Sequence, residues 1–377
     1  MSQTADVAVV GGGVIGCSVA YHAARQGAKV VLLEAGTVGT GASGAAAGML
    51  NAQAEARGPD AFLDLLLKSR EMHKTLSGEL YEETGLDPEH VWSGTLRLAL
   101  GERFAEELSR VHRWQEEAGL PARWLDGDEA RELEPGISRG AVAALYLPED
   151  GQVNSPRLVR ALALAAVRRG AEISEAEPAV GFLRDGERIT GVRTVRREVA
   201  AGSVVLAGGS ASGQLAASLG LRLPVHPVKG EILSVITRRT PVEANVWDER
   251  CYLVPKRDGR VVIGATEEPG VHDRRPTLGA VAALSSAATE LVPNLSGVAF
   301  AGAWGGLRPG TPDGRPILGP VEGFEGLLVA TGHYRNGVLL SPITGEAIAA
   351  LALEEPPPVD ISPFSCARFG EAAAWHS

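Results

Sequence analysis

Cysteine is scarce in this chain. Its 377 residues hold three, Cys17, Cys251 and Cys366, far apart and without a Cys-x-x-Cys pair. That scarcity excludes a disulfide framework and a cysteine-ligated zinc site, and it suits a reducing compartment. The eight histidines are dispersed with no His-Glu-x-x-His or comparable spacing, so no bound metal is expected. Long apolar runs are also missing. None reaches the roughly 18 residues that a spanning helix needs, and no amphipathic basic anchor for a membrane is present. No signal peptide is expected ahead of the first strand, because a glycine turn already begins at Gly11. A cytoplasmic protein is expected. Positive charge is in deficit, with a formal net charge of −10. Arginine doublets such as Arg168-Arg169 and Arg238-Arg239 are isolated and read as solvated ends of elements. A nucleic-acid surface is thereby excluded.

What remains is ordinary for a globular protein, with 45% hydrophobic and 22% charged residues. The length suits two domains or one elaborate one. Glycine is abundant, and its first cluster is the most informative stretch. Asp6 to Val10 reads as a buried strand, followed at once by Gly11-Gly12-Gly13-Val14-Ile15-Gly16. An apolar helical stretch runs from Cys17 to Gln26, and a second strand from Lys29 to Leu33 ends in Glu34. This is the Gly-x-Gly-x-x-Gly turn of a βαβ dinucleotide-binding unit. Gly11 permits the tight turn, Gly13 lets the backbone approach a pyrophosphate, and Gly16 lets helix and strand pack closely. The helix N-terminus, including Ile15, offers N–H groups and a positive dipole end to phosphates. Glu34 stands where it can accept hydrogen bonds from a ribose, and an acid there disfavours a 2′-phosphate. On this motif alone, FAD and NAD both remain open.

The segment 37–50 is almost without bulky side chains. A flexible linker would continue polar; this one enters Met49-Leu50 and reads as a loop lying against a ligand. Further on, the patterning predicts helices over 61–84, 103–118, 124–135 (capped by Asp126 or Asp128) and 155–170. In the last of these Ser155 is the expected N-cap, with Pro156 at the first helical position. Strands are expected at Thr95–Leu100, Ala171–Ile173, Gly191–Val195 and Ser203–Ala207. From 221 to 307 the pattern is mainly β, with Asp258-Gly259 marking a hairpin and one helix near 277–291. Leu327–Ala330 reads as a last sheet strand and 342–354 as a C-terminal helix capped by Ser341. The fold class is therefore α/β: a discontinuous Rossmann-type domain of residues 1–85, 148–220 and 308–377. A mainly antiparallel β domain of residues 86–147 and 221–307 is inserted into it.

Several ordered motifs carry a resemblance. Besides the first glycine turn they are Gly44–Leu50, Pro227–Glu231, Cys251–Pro255, Gly264–Thr266, Gly306–Gly314 and Gly332–Gly337, with a looser ending at Pro357–Phe364 and Arg368-Phe369. Together they resemble the FAD-dependent D-amino-acid oxidase superfamily. Within it they are most similar to the glycine oxidases tied to the thiazole branch of thiamine biosynthesis. The resemblance implies non-covalent FAD, a small amino-acid substrate, oxygen as co-substrate and a homo-oligomer, possible as a tetramer.

It also implies site residues. Arg308 corresponds to the arginine that clamps the substrate carboxylate, where a planar guanidinium can donate two parallel bonds. Tyr252 matches a tyrosine whose hydroxyl meets the same carboxylate, and Arg335 a second arginine near flavin and carboxylate. Cofactor contact carries over to Ala35, Ser43, Ala46, Ala47, Gly48 and Met49, and to Ala179, Ala207, Gly208 and Gly306. In the last motif it carries over to His333, Arg335, Asn336, Gly337, Val338 and Leu339. There the turn and the helix behind it can aim N–H groups at the negative charge of a reduced flavin. The implied reaction is oxidation of a small α-amino acid, glycine, sarcosine or D-alanine, to the 2-oxo acid with ammonia or amine and hydrogen peroxide. The hydride leaves as the amine lone pair forms an imine, so no dedicated base is required. Two positions depart from the pattern: Arg250 stands where histidine, and Asn51 where glycine, is expected. They leave room for a sister activity, a dehydrogenase or oxidase of larger D-amino acids such as D-proline. An FAD-loaded subunit without turnover is the remaining alternative, and the set Tyr252, Arg308 and Arg335 argues against it.

Overall fold

The computed structural model describes residues 3–56 and 58–373; the positions 1, 2, 57 and 374–377 of the domain ranges above lie outside it. The chain opens with strand β1 (Gln3–Val10), helix α1 (Val14–Arg25) and strand β2 (Val30–Leu33). Both strands are unbroken apolar runs because both faces of their sheet are covered. Val7, Ala8 and Val9 are fully enclosed, as are Val31 and Leu32. Helix α1 is buried along almost its whole length. It lies between helix Ser155–Arg168 and the C-terminal helix Ser341–Ala352, which share its core with helix Ala61–Thr84.

The first sheet contains eight strands. Its parallel core runs Phe324–Thr331, Glu198–Leu206, β1, β2, Glu172–Ser174. All three thirds of the chain therefore meet in one sheet. An antiparallel pair, Ala179–Asp185 with Arg188–Thr194, attaches to Glu198–Leu206, and Ile317–Val321 pairs antiparallel with Phe324–Thr331.

The second sheet has nine strands. At its centre His226–Ile236 pairs with Ala299–Gly310 and with Arg260–Gly264, which pairs with Tyr252–Pro255 across the Asp258-Gly259 turn. Glu268–Pro269 also pairs with His226–Ile236, and beyond Asn245–Trp247 the strands Thr95–Ala99, Ala143–Leu147 and Arg123–Asp126 complete it. Pairing is antiparallel except between Asn245–Trp247 and Thr95–Ala99. Helix Leu278–Leu291, capped by the Thr277 hydroxyl, covers this sheet with its own apolar core. The fold is mixed α/β, a Rossmann-type sheet joined to a mainly antiparallel one.

Three local readings change. The N-cap of helix Ser155–Arg168 is Asn154, whose side chain accepts from the Arg157 N–H. Ser155 is drawn off by a different partner, donating its hydroxyl to Ser43 O at 2.6 Å. Ser341 does not cap the last helix either; it is the first helical residue and donates to Val338 O. The region 124–135 opens as strand Arg123–Asp126, and only Gly127–Leu133 is helical, with Asp126 and Glu129 forming a capping box.

Candidate active site

Where the two sheets face each other lies a cavity of about 680 Å³. Its floor is the first glycine turn. Gly11 has φ +112°, and a Cβ there would sit 2.5 Å from Ala207 O, so only glycine fits. At Gly16 a Cβ would meet Gly11 O at 1.9 Å, which is why α1 can start so close to β1. Gly13 and Ile15 line the cavity. The first intrahelical bond is Cys17 N–H to Gly13 O, so the N–H groups ahead of it have no helical partner. Ser43 takes one of them, accepting from Val14 N–H at 2.9 Å.

Glu34 caps the far end. Its two carboxylate oxygens accept from Gly12 N–H and Gly36 N–H, each at 2.7 Å. That leaves lone pairs on both oxygens for a hydroxyl donor.

The small-residue segment forms one long wall. Ala35, Ser43, Ala46, Ala47, Gly48 and Met49 all line the cavity. Trp304 Nε1 donates to Ala45 O at 3.2 Å, and a Cβ on Gly306 would lie 2.6 Å from Ala45 Cβ, so strand Ala299–Gly310 presses directly on this wall. Opposite stand Ala179, Ala207, Gly208, His333, Asn336, Gly337 and Val338. Two expected contacts do not reach the cavity: Gly16 is used up in helix–strand packing, and Leu339 is buried behind the wall. The Leu339 carbonyl accepts from the Ser69 hydroxyl and the His73 ring instead.

Tyr252, Arg308 and Arg335 come together at the other end. Burial pushes the Tyr252 hydroxyl up, against the pull of the Arg308 and Arg335 guanidiniums, so the phenol stays neutral and keeps a proton to donate. Arg308 donates to Thr266 O at 3.1 Å, and Gly230 makes room for it: a Cβ there would fall 2.2 Å from its Nη1. No carboxylate pairs with Arg308 among the described residues. Arg335 differs. It donates from Nε to Glu55 at 3.0 Å and lies 5.4 Å from the Trp247 ring centroid. Glu55 chiefly holds its pKa above the ordinary value. Its Nη1 also lies 3.5 Å from Glu267 Oε2, so two carboxylates hold this guanidinium before any substrate arrives.

Glu55, Ile232 and Tyr334 line the same end and were not singled out from the sequence. Glu55 follows the small-residue run within a few positions, the one signal that could have flagged it. Asn51 also lines the cavity and is buried. Its Oδ1 accepts from Thr95 Oγ1 at 3.0 Å and from Asn245 Nδ2 at 3.5 Å. Arg250 is not at the cavity. It turns outward to Asp248 and to Glu290, at 3.0 and 2.6 Å, because an acidic partner on each side draws the charge into solvent. His333 donates to or accepts from Thr344 Oγ1 at 3.1 Å, and burial pushes it down to about 3, leaving a neutral ring.

Comparison with known proteins agrees with this geometry. The sequence pattern described as DAO, FAD dependent oxidoreductase, matches residues 6–351. The chain is 41% identical over 370 residues to the glycine oxidase of Geobacillus kaustophilus, covering 98% of each. The crystal structure of glycine oxidase from Geobacillus kaustophilus aligns with a TM-score of 0.94 at 40% identity, covering 97% of this chain and 99% of that one. The bifunctional protein ThiO/ThiG of Trichormus variabilis is 34% identical over 377 residues, 99% of this chain and 56% of that longer protein.

Proposed function

The chain belongs to the FAD-dependent oxidoreductase family, and from that premise we propose that it oxidises glycine and other small amines or amino acids, sarcosine and D-alanine included. The products are the 2-oxo acid, ammonia or amine, and hydrogen peroxide. The observation that carries this reading is Arg308: a guanidinium on a cavity wall, paired with no carboxylate among the described residues, beside a neutral Tyr252 hydroxyl. Such a pair is complementary to a free α-carboxylate. The resemblance of the chain to a fused ThiO/ThiG protein supports a role feeding thiazole formation.

The residues fit FAD. Gly11 and Gly13 leave a cradle without side chains at the helix N-terminus, Glu34 offers acceptor lone pairs for ribose hydroxyls, and the wall 43–49 is narrow enough in side chains for a flat ring. When bound, FAD supplies a two-electron acceptor for hydride. The protein's share is positioning. Arg308 and Tyr252 hold the carboxylate and so fix the direction of Cα–H. Arg335, steadied by Glu55, adds positive charge beside it. Among the described residues no wall group suits proton abstraction, since His333 is buried against Thr344 and Glu55 is paired with Arg335. That matches a reaction in which a neutral amine drives hydride loss and water later hydrolyses the imine.

We assign residues 1–85, 148–220 and 308–377 to the FAD domain and 86–147 with 221–307 to the substrate domain; the two sheets support this division except at 307/308, where the strand Ala299–Gly310 carries the second sheet on to Gly310. No helix among the described residues is long and apolar enough to cross a membrane. Three free, buried cysteines support a cytoplasmic setting, and a homo-oligomer is our working assembly.

The test is anaerobic mixing of the yellow protein with glycine, sarcosine, D-alanine and D-proline. Bleaching of the flavin by glycine or sarcosine, reversed by air with peroxide released, is expected. Bleaching by D-proline alone would move the enzyme to larger D-amino acids, and none at all would leave an FAD-binding subunit.

A further inference from the structure

Lys256 follows the strand Tyr252–Pro255 directly and faces the back of the cavity wall. Its Nζ donates to Ala47 O at 2.6 Å, to Gln152 Oε1 at 2.6 Å and to Val153 O at 3.0 Å. Three acceptors match the three N–H bonds of an ammonium, whereas a neutral amine has only two. No carboxylate forms an ion pair with it among the described residues, although Glu89 and Asp258 act on it from a distance. Burial is the main force drawing its pKa down, to about 7, with Arg260 adding to it and the charges of Glu89 and Asp258 opposing it. An uncompensated cation held this way is a costly feature, and nothing in the carboxylate clamp explains it.

The peptide it grips does. The Ala47–Gly48 bond is trans, so its N–H points opposite its carbonyl. With Ala47 O turned to Lys256, the Gly48 N–H is turned the other way, and no acceptor takes it among the described residues. Ala47 and Gly48 both line the cavity, and Lys256 does not. Gly48 is locked as well: φ is +84°, a Cβ would sit 2.0 Å from Val153 O, and Gly48 O accepts from Val153 N–H at 2.8 Å. Ala47 packs in one apolar cluster with Tyr252 and Ile232, which places this peptide at the substrate end. Gln152 Nε2 donates to Pro255 O, so the same junction ties the strand of Tyr252 to the wall.

We propose that Lys256 is a positioning residue for the cofactor: its ammonium holds and polarises the Ala47–Gly48 peptide, so that the Gly48 N–H is presented to an acceptor atom of the flavin ring. A carbonyl bound by a cation makes its own N–H a stronger donor, because hydrogen bonds along a chain reinforce one another. The cation also favours the electron-rich reduced ring. This inference rests on the FAD reading.

The experiment compares wild type with Lys256→Met, Lys256→Gln and Lys256→Arg as holoenzymes. It reads FAD release on dilution by flavin fluorescence, and the midpoint potential of the bound flavin. Lys256→Met is expected to weaken FAD binding roughly tenfold or more and to shift the potential to more negative values. Lys256→Arg, which keeps charge and donors, should recover most of both. Wild-type affinity and potential in Lys256→Met would overturn the proposal. So would an Arg variant as impaired as Met, since that pattern marks packing alone. Should Lys256→Met fail to fold, Lys256→Gln keeps N–H donors without charge, and an unchanged potential there would equally overturn it. A wild-type holoenzyme that binds FAD but oxidises no amino acid sinks the substrate reading and leaves this test intact.

Discussion

At the scale of single residues, the site divides into groups with a partner and groups without one. Arg308 has no carboxylate partner among the described residues, only the Thr266 carbonyl and the neighbouring Tyr252 hydroxyl, whereas Arg335 is paired with Glu55. Arg308→Ala is therefore expected to raise KM for glycine steeply, by roughly a hundredfold or more for a lost bidentate charged contact, while FAD stays bound. Steady-state kinetics with the flavin spectrum as occupancy control measure this, and unchanged kinetics would remove Arg308 from the site. Asn51 makes the opposite case. Its carbonyl oxygen serves Thr95 and Asn245, so Asn51→Gly leaves the buried Thr95 hydroxyl without its acceptor, while Asn245 keeps Gly151 O, and should cost about 1–3 kcal/mol of stability. The same change widens the cavity, and relative activity on D-proline against glycine should rise; a fixed ratio would show that Asn51 does not limit the substrate. The contrast also explains what could be read in advance. Arg308 and Tyr252 sit inside distinctive motifs. Glu55 and Lys256 act through partners more than 200 positions away, Arg335 and Ala47, and no local pattern encodes such a pairing. Arg250 is placed by a non-local partner as well, since Glu290, together with Asp248, turns it outward.

At the scale of elements, glycine is informative where something stands against it and uninformative elsewhere. Gly16 in α1 backs onto Gly11 O, and neither partner is a flexible side chain that can yield. Gly78 in helix Ala61–Thr84 is exposed, with nothing within 4 Å of its Cβ position. Gly16→Ala is expected to lower Tm and strip FAD, whereas Gly78→Ala should stabilise by about 1 kcal/mol, the ordinary helix-propensity gain. Thermal melts of both variants with FAD content measured settle the pair; equal behaviour would mean α1 can slide away from β1. The positions of β1, α1 and β2 were legible because turn chemistry, periodicity and burial agree there. Caps were less so. Ser155 looks like an N-cap by type, but its hydroxyl serves Ser43 O across the fold, and Asn154 takes the role one residue earlier. Local propensity cannot rank two adjacent capping residues when a distant carbonyl claims one of them.

At the scale of the whole molecule, the apolar interior that aligns the two sheets also encloses histidines, and this sets the response to acid. Burial pushes His22, His73 and His90 down to about 4 and His333 to about 3, with Arg25, His90 and Arg257 adding to the effect at the first three. Each is neutral in the folded protein but charges near 6.5 once unfolded. Between pH 6.5 and about 4 the unfolded chain thus binds more protons, so stability is intact above 6.5 and is lost as pH falls through this window. Asp150 works against it. Burial raises its carboxyl to about 7, so it favours the fold as pH falls. Glu134, also raised by burial, adds to this, but two carboxyls do not outweigh four imidazoles, and Tm is expected to decline on acidification from 6.5 to 4.5. His22 offers the cleanest check, because its Nε2 has no hydrogen-bond partner among the described residues and its ring packs edge-on against Tyr21. His22→Phe keeps the ring and removes the proton site. In pH-dependent denaturation, the slope of stability against pH should fall by about one proton, or ~1.4 kcal/mol per pH unit where His22 titrates only in the unfolded chain. An unchanged slope would mean that His22 is protonated in the folded state and that the packing between α1 and the helices over it admits charge.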